Sequence, residues 1–324
     1  MNSQTLPHTT VLLKESVDSL DLRAGDIAID CTVGGGGHTE AILDRVGPTG
    51  LVIGLDRDAS ALELAHARLR TAIESGRLRL IQARFAEIGD IAEKHGVTGK
   101  VQGILADIGV SSMHLNQAER GFSFQNDGPL DMRMDPSKGE SAADIVNNSS
   151  QEELSKIFWE FGEEPQSRQV ARRIIESRAI SPITSTAQLA DIVKRSLRYT
   201  EKSKKHPATK VFQALRIATN NELGELESLL NHGLNVLRPN GRFAIITFHS
   251  LEDRLVKTKF QEWTGQKDRE KIPRNLPLSS EQIAKMTHAK GSLVKPFPLT
   301  PTDQEISSNP RARSAKLRVI NKLS

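Results

Sequence analysis

The chain has 324 residues, a formal net charge of +4 and a single cysteine, Cys31. With 37% hydrophobic and 26% charged residues it has the composition of a soluble globular protein that can bury a core. One thiol excludes an intramolecular disulfide and a cysteine metal cage, no apolar run reaches the roughly 20 residues of a membrane helix, and "MNSQTLPHTT" lacks the pattern of a signal peptide, so a cytoplasmic protein is expected.

From residue 27 to 109 short apolar runs alternate with amphipathic stretches. "IAID" (27–30) predicts a strand and "TEAILDRV" a helix with Ala41, Ile42 and Val46 on one side. "GLVIGLD" (50–56) is a second strand, and "ASALELAHARLRTAIESG" a helix ending at Gly76. "LRLIQARF" (78–85), a short helix "IGDIAEKHG" and "VQGILAD" (101–107) complete the series. Strands separated by helices imply right-handed crossovers and a parallel sheet. After Asp107 glycines, prolines and polar residues break the rhythm, and helical patterns return at about 151–178 and 186–198. A basic segment follows, then a long helix from about Thr209 to Leu237, a turn at "RPNG", a strand at "RFAIITFHS" (242–250) and a last strand in "ARSAKLRVINK". The fold class is α/β: a doubly wound, mostly parallel, Rossmann-like sheet formed by 1–111 and 209–324, with a mainly helical insertion over 112–208.

The loop between the first strand and helix, "DCTVGGGGHTEAIL", lies at the carboxyl edge of the sheet, where such folds bind ligands. Glycines there allow close backbone approach, and the helix N-terminus offers unpaired N–H groups. The dinucleotide pattern G-x-G-x-x-G is not completed, since its last position falls on Thr39 counting from Gly34 and on Glu40 counting from Gly35. The S-adenosylmethionine pattern D-x-G-x-G-x-G fits at Asp30, Gly34 and Gly36, with Thr32 in place of the first glycine. Asp56, ending the second strand, stands where an acid grips ribose hydroxyls, which either cofactor would offer. The loop favours S-adenosylmethionine.

Asp107, at the end of the fourth strand, faces the reactive end of a cofactor so placed; it is a candidate for cofactor contact or for orienting a nucleophile. "ERGFSFQNDGPLDMRMD" gathers Phe122, Phe124 and Arg133 in one loop, where a phenylalanine would stack on a base or pin the loop to the core. Ser250 and Asp253 have the spacing of a helix cap and its third position, beside which His249 would line a pocket. Arg195, Arg198, Lys202, Lys204, Lys205 and Lys210 cluster with His206 and suit a phosphate track, to which Arg311, Arg313, Lys316 and Arg318 would add. No histidine or aspartate spacing suggests a metal site.

The strings "DIGVSS", "ERGFSF", "DGPLDMRMD", "HPATKVFQALRIATNNEL", "ITFHSLEDR" and "NPRARS" occur here in this order. From "HTTVLLKE" to the C-terminal strand the chain resembles the bacterial 16S ribosomal RNA (cytosine-N4)-methyltransferases of the RsmH (MraW) type. The resemblance implies methyl transfer from S-adenosylmethionine to N4 of cytosine 1402 in the decoding centre of the small ribosomal subunit, with the insertion aiding RNA recognition. By position it places cofactor contacts on Gly36, Gly37, His38, Asp56, Phe85 and Asp107. A further contact, usually glutamine, falls on His114. "GGGGH" stands where "GRGGH" is common, with little consequence expected from Gly35. The competing readings are a methyltransferase for another base or for DNA, a non-catalytic RNA-binding assembly factor, and a nicotinamide-dependent oxidoreductase. A homodimer is compatible with the sequence.

Overall fold

The computed structural model describes residues 10–197, 206–269, 277–279, 282, 286–296 and 298–323. It divides into two units, 1–109 with 224–324, and 110–223.

The first unit is built on a seven-stranded sheet: β1 (Ile27–Asp30), β2 (Leu51–Asp56), β3 (Leu78–Gln82), β4 (Val101–Asp107), β5 (Leu237–Thr247), β6 (Gly291–Leu293) and β7 (Lys316–Lys322). The strand order is β3-β2-β1-β4-β5-β7-β6. β1 to β5 pair in parallel, while β7 is antiparallel to both β5 and β6. The chain runs outward from β1 in one direction and then from β4 in the other, so the carboxyl ends of β1 and β4 flank the switch point where open α/β sheets bind ligands.

Side chains of a strand point alternately to its two faces, and here the faces feed two cores. Ile29, Ile104, Ala106, Phe243 and Ile245 pack with Leu226, Leu229, Val256 and Phe260 from helices on one side. Ala28, Leu105, Ala244, Ile246 and Leu317 pack with Val17, Ile42, Leu43 and Val46 on the other. The near-continuous apolar composition of the inner strands follows from burial on both faces.

Three elements differ from the sequence reading. The helix expected to run unbroken to Gly76 divides at Leu69, whose φ of −109° and ψ of 22° leave helical geometry while its side chain is buried. The long helix expected from Thr209 divides at Asn221, which sits in the left-handed region with φ 49° and ψ 40°; asparagine tolerates that conformation better than most residues. "RPNG" is not a turn before β5 but a bulge inside it: Leu237 pairs Val101 and Arg242 pairs Gly103, so four residues stand opposite Gln102, with Asn240 at φ 62°.

The break at Asn221 also moves the expected boundary of the insertion. Helix Thr209–Asn220, assigned from sequence to the sheet-bearing part, buries Val211, Phe212, Ala214 and Leu215 in the core of the second unit. Helix Glu222–Val236 instead sends Leu226, Leu229 and Leu234 into the first. The second unit contains helices 142–148, 151–160, 167–178 and 186–196 around Leu154, Phe158, Ile174 and Leu189. No helix among the described residues is long and apolar enough to cross a membrane.

Candidate functional site

The glycine loop turns between β1 and helix Gly37–Val46. Gly34 and Gly36 take positive φ values of 51° and 82°, conformations that side chains disfavour. A Cβ on Gly37 would come within 2.0 Å of Thr10 Oγ1, so this glycine lets the N-terminal segment pass over the helix start. Gly35 has neither constraint: its φ is ordinary and a Cβ there meets nothing within 4 Å. Among the described residues the helix begins at Gly36 without a side-chain cap.

Two aspartates at strand ends hold the loop in this shape. Asp30, fully buried, accepts hydrogen bonds from Thr39 Oγ1 at 2.6 Å and from the Thr32 amide at 3.0 Å. Burial nevertheless pushes its carboxyl up to about 6. Asp56 Oδ2 accepts from the Gly34 amide at 2.8 Å and its Oδ1 from the Asp58 amide at 2.9 Å. Its role in fastening the loop was not visible in the sequence, which suggested a ribose partner. Phe85 opens a short 3-10 turn just past β3 and is packed, partly buried, on the core.

Asp107 ends β4. Its amide donates to Thr32 Oγ1 at 2.7 Å, which ties the strand end to the glycine loop. The carboxylate keeps 22% of its surface exposed, yet Oδ1 is buried and has no hydrogen-bond partner among the described residues. Such an orphaned acceptor is costly in a stable fold and is the kind of group a ligand completes. Desolvation, with the Asp30 and Glu252 carboxylates adding, pushes Asp107 up to about 8. His38, also buried, donates from Nε2 to the Val11 carbonyl at 3.2 Å and turns Nδ1 toward Asp107 Oδ2, 3.8 Å away.

His249 follows β5 and caps helix Ser250–Trp263, with Glu252 as the third helical residue. This corrects the expected cap, Ser250 with Asp253, by one residue. The reason is visible in Asp253, which is drawn to β7 and pairs with Lys316 at 3.0 Å and Arg318 at 2.7 Å. Those two cations are thereby removed from the expected phosphate track. Glu252 is fully buried, accepts from the Phe248 and His249 amides at 2.8 and 3.2 Å, and lies 2.9 Å from His249 Nε2. Sequence reasoning missed Glu252; its signal was a glutamate three residues after a polar residue at a strand end, obscured because histidine is an uncommon cap.

Of the remaining expected residues, Arg311 and Arg313 lie in a 3-10 turn just before β7, and the described ones in the second unit have structural partners. His114 is buried, accepts from the Ser111 amide at 3.3 Å and stacks on Phe122 with ring centres 4.8 Å apart. Phe124 packs against Phe212 at 4.9 Å and His206 at 4.6 Å. Arg133 makes a two-point pair with Asp131, at 2.9 and 2.7 Å. Their loop is pinned by Asn220, which donates to the Met132 carbonyl at 2.7 Å and accepts from the Met134 amide at 2.9 Å. Arg195 pairs with Asp191, and Lys210 donates to the Glu163 carbonyl at 2.8 Å. Lys204 and Lys205, with Arg198 and Lys202, lie outside the described residues.

Among solved structures, similarity is found to a candidate rRNA-methylase from Clostridium thermocellum, 12% identical over 97% of this chain and 99% of that one, with a TM-score of 0.44. A methyltransferase homologue from Pyrococcus horikoshii is 12% identical over 100% of this chain and 72% of that one, with a TM-score of 0.43. An S-adenosylmethionine-dependent O-methyltransferase from Thermotoga maritima is 12% identical over 96% of this chain and 64% of that one, at 0.41. These scores stop below 0.5, so the assignment rests on the sequence profile of the MraW methylase family, which matches residues 5–323. Taken with a sheet whose glycine loop and strand-end acids meet at its switch point, that match settles the family: the chain belongs to the MraW methylases, methyltransferases that use S-adenosylmethionine.

Proposed function

We propose that the protein methylates N4 of a cytosine in 16S ribosomal RNA, cytosine 1402 of the decoding centre, on the small ribosomal subunit. The family membership and the motifs shared with cytosine-N4 enzymes support the target, and the observation that carries the chemistry is the orphaned Oδ1 of Asp107 at the switch point. The open, glycine-lined turn at Gly36 and Gly37, with His38 behind it, suits the methionine end of S-adenosylmethionine. Asp56 suits the ribose hydroxyls and Phe85 an apolar wall for the adenine. When bound, the cofactor supplies an electrophilic methyl on a sulfonium sulfur.

The chain's own work is then alignment and proton handling. A cytosine amine is conjugated to its ring and is a weak nucleophile, so a carboxylate that accepts a hydrogen bond from N4–H localises the lone pair. As the N–C bond forms and the S–C bond breaks, the amine must lose one proton, and Asp107 accepts it in its ionised form; with its carboxyl raised to about 8 in the ligand-free fold, turnover should rise with pH through that region. Thr32 fixes the Asp107 backbone and Glu252 its electrostatic surroundings. The target base must leave its stack to reach such a site.

The test is to analyse 16S RNA from cells lacking the gene after complementation with wild type or Asp107→Asn. N4-methylcytidine should return with wild type only. Its absence with wild type, or its full return with the variant, would contradict the reading.

A further inference from the structure

The second unit carries a groove that its core does not use. It lies between helices 151–160 and 167–178, has a volume of about 580 Å³, and is lined by Trp159, Lys156, Arg168, Ser155, Ser167 and Glu152 among others. Trp159 is 60% exposed, although Leu154 and Phe158 on the same helix are fully buried. A large ring facing water is therefore not explained by packing. Lys156 precedes it by three residues, on the same side of the helix.

Two further observations point to the occupant. Lys156 and Arg168 are exposed and form no ion pair with a described residue, whereas Arg172 and Arg173 share Glu176, and Arg195 is paired with Asp191. Trp159 is also the one large apolar side chain exposed in the lining, so the groove lacks the continuous apolar stripe that an amphipathic helix would need. One flat indole, two uncommitted cations and the paired hydroxyls of Ser155 and Ser167, 3.4 Å apart, form a different kind of surface. We infer that this groove is a single-stranded RNA subsite, in which an unpaired base stacks on Trp159 and flanking phosphates engage Lys156 and Arg168. The inference rests on the RNA reading given above and adds a contact that involves none of the methyl-transfer residues.

The chain contains two tryptophans, and the other, Trp263, is buried against Phe260. In full-length protein carrying Trp263→Phe, emission therefore reports Trp159 alone. Titration with a short unstructured RNA oligonucleotide should quench it saturably. Trp159→Ala, made in the wild-type background, should weaken RNA binding about tenfold, with Trp159→Phe retaining most of the affinity and S-adenosylmethionine binding unchanged in both. Lys156→Gln with Arg168→Gln should flatten the salt dependence of log K by roughly 1.4. RNA affinity unaltered in Trp159→Ala would overturn this subsite while leaving the RNA reading intact. A wild-type protein that binds no RNA at low salt would overturn both. Quenching by a polyglutamate peptide but not by RNA would make the groove a protein contact and sink the proposal.

Discussion

In the proposed mechanism Asp107 concentrates the chemistry in one side chain, and its environment makes opposing demands on fold and activity. Its carboxyl has an ordinary value of 3.8 when exposed and about 8 in the fold. Between those values the unfolded chain has released the Asp107 proton and the native state has kept it, so this group's contribution to stability falls as pH rises from about 4 to about 8. Asp107→Asn removes that loss. It should melt higher than wild type at pH 8, with the gap closing toward pH 4, while turnover falls about 100-fold or more and RNA affinity is retained. Thermal melts across pH beside single-turnover assays check both halves; unchanged turnover would remove Asp107 from the proton-accepting role. Glu252→Gln tests the neighbour. Removing that negative charge favours ionised Asp107, so the acidic limb of the pH–rate profile should move to lower pH by on the order of half a unit.

At the scale of the element, the glycine loop gives each of its residues a different sensitivity. Gly35→Ala should be nearly silent in stability and in cofactor affinity, because a Cβ there meets nothing. Gly37→Ala should lower stability by about 1–3 kcal/mol through the clash with Thr10, and Thr10→Ala should restore much of it. Equilibrium unfolding and calorimetry with S-adenosylmethionine separate the four proteins. The loop was legible in the sequence because strand, glycines and helix follow a local grammar. The long-range ties were not: Asp56 reaches the Gly34 amide across 22 positions and Thr32 the Asp107 amide across 75. The misread cap has the same origin, since Asp253 is claimed by a strand 63 residues on. Likewise, nothing near Asn221 says that the helices before and after it bury into different cores.

For the whole molecule, the inserted unit has its own core of buried side chains from Phe122 to Leu215, drawn from contiguous sequence. A fragment spanning 110–223 should therefore fold as a helical unit with a cooperative thermal transition by circular dichroism; a non-cooperative melt would show that it needs the rest of the chain. The succession of strands and helices along the chain was readable from periodicity, and the α/β class with it. The antiparallel β7 and the short β6 were not, because a single final strand carries no sign of its direction.

The most direct measurement gives purified protein labelled S-adenosylmethionine and small ribosomal subunits from cells lacking the gene, then digests the RNA and identifies the labelled nucleoside by mass. N4-methylcytidine at one decoding-centre position is the predicted result. Label on another base or on DNA, or no label despite demonstrable cofactor binding, would contradict the account.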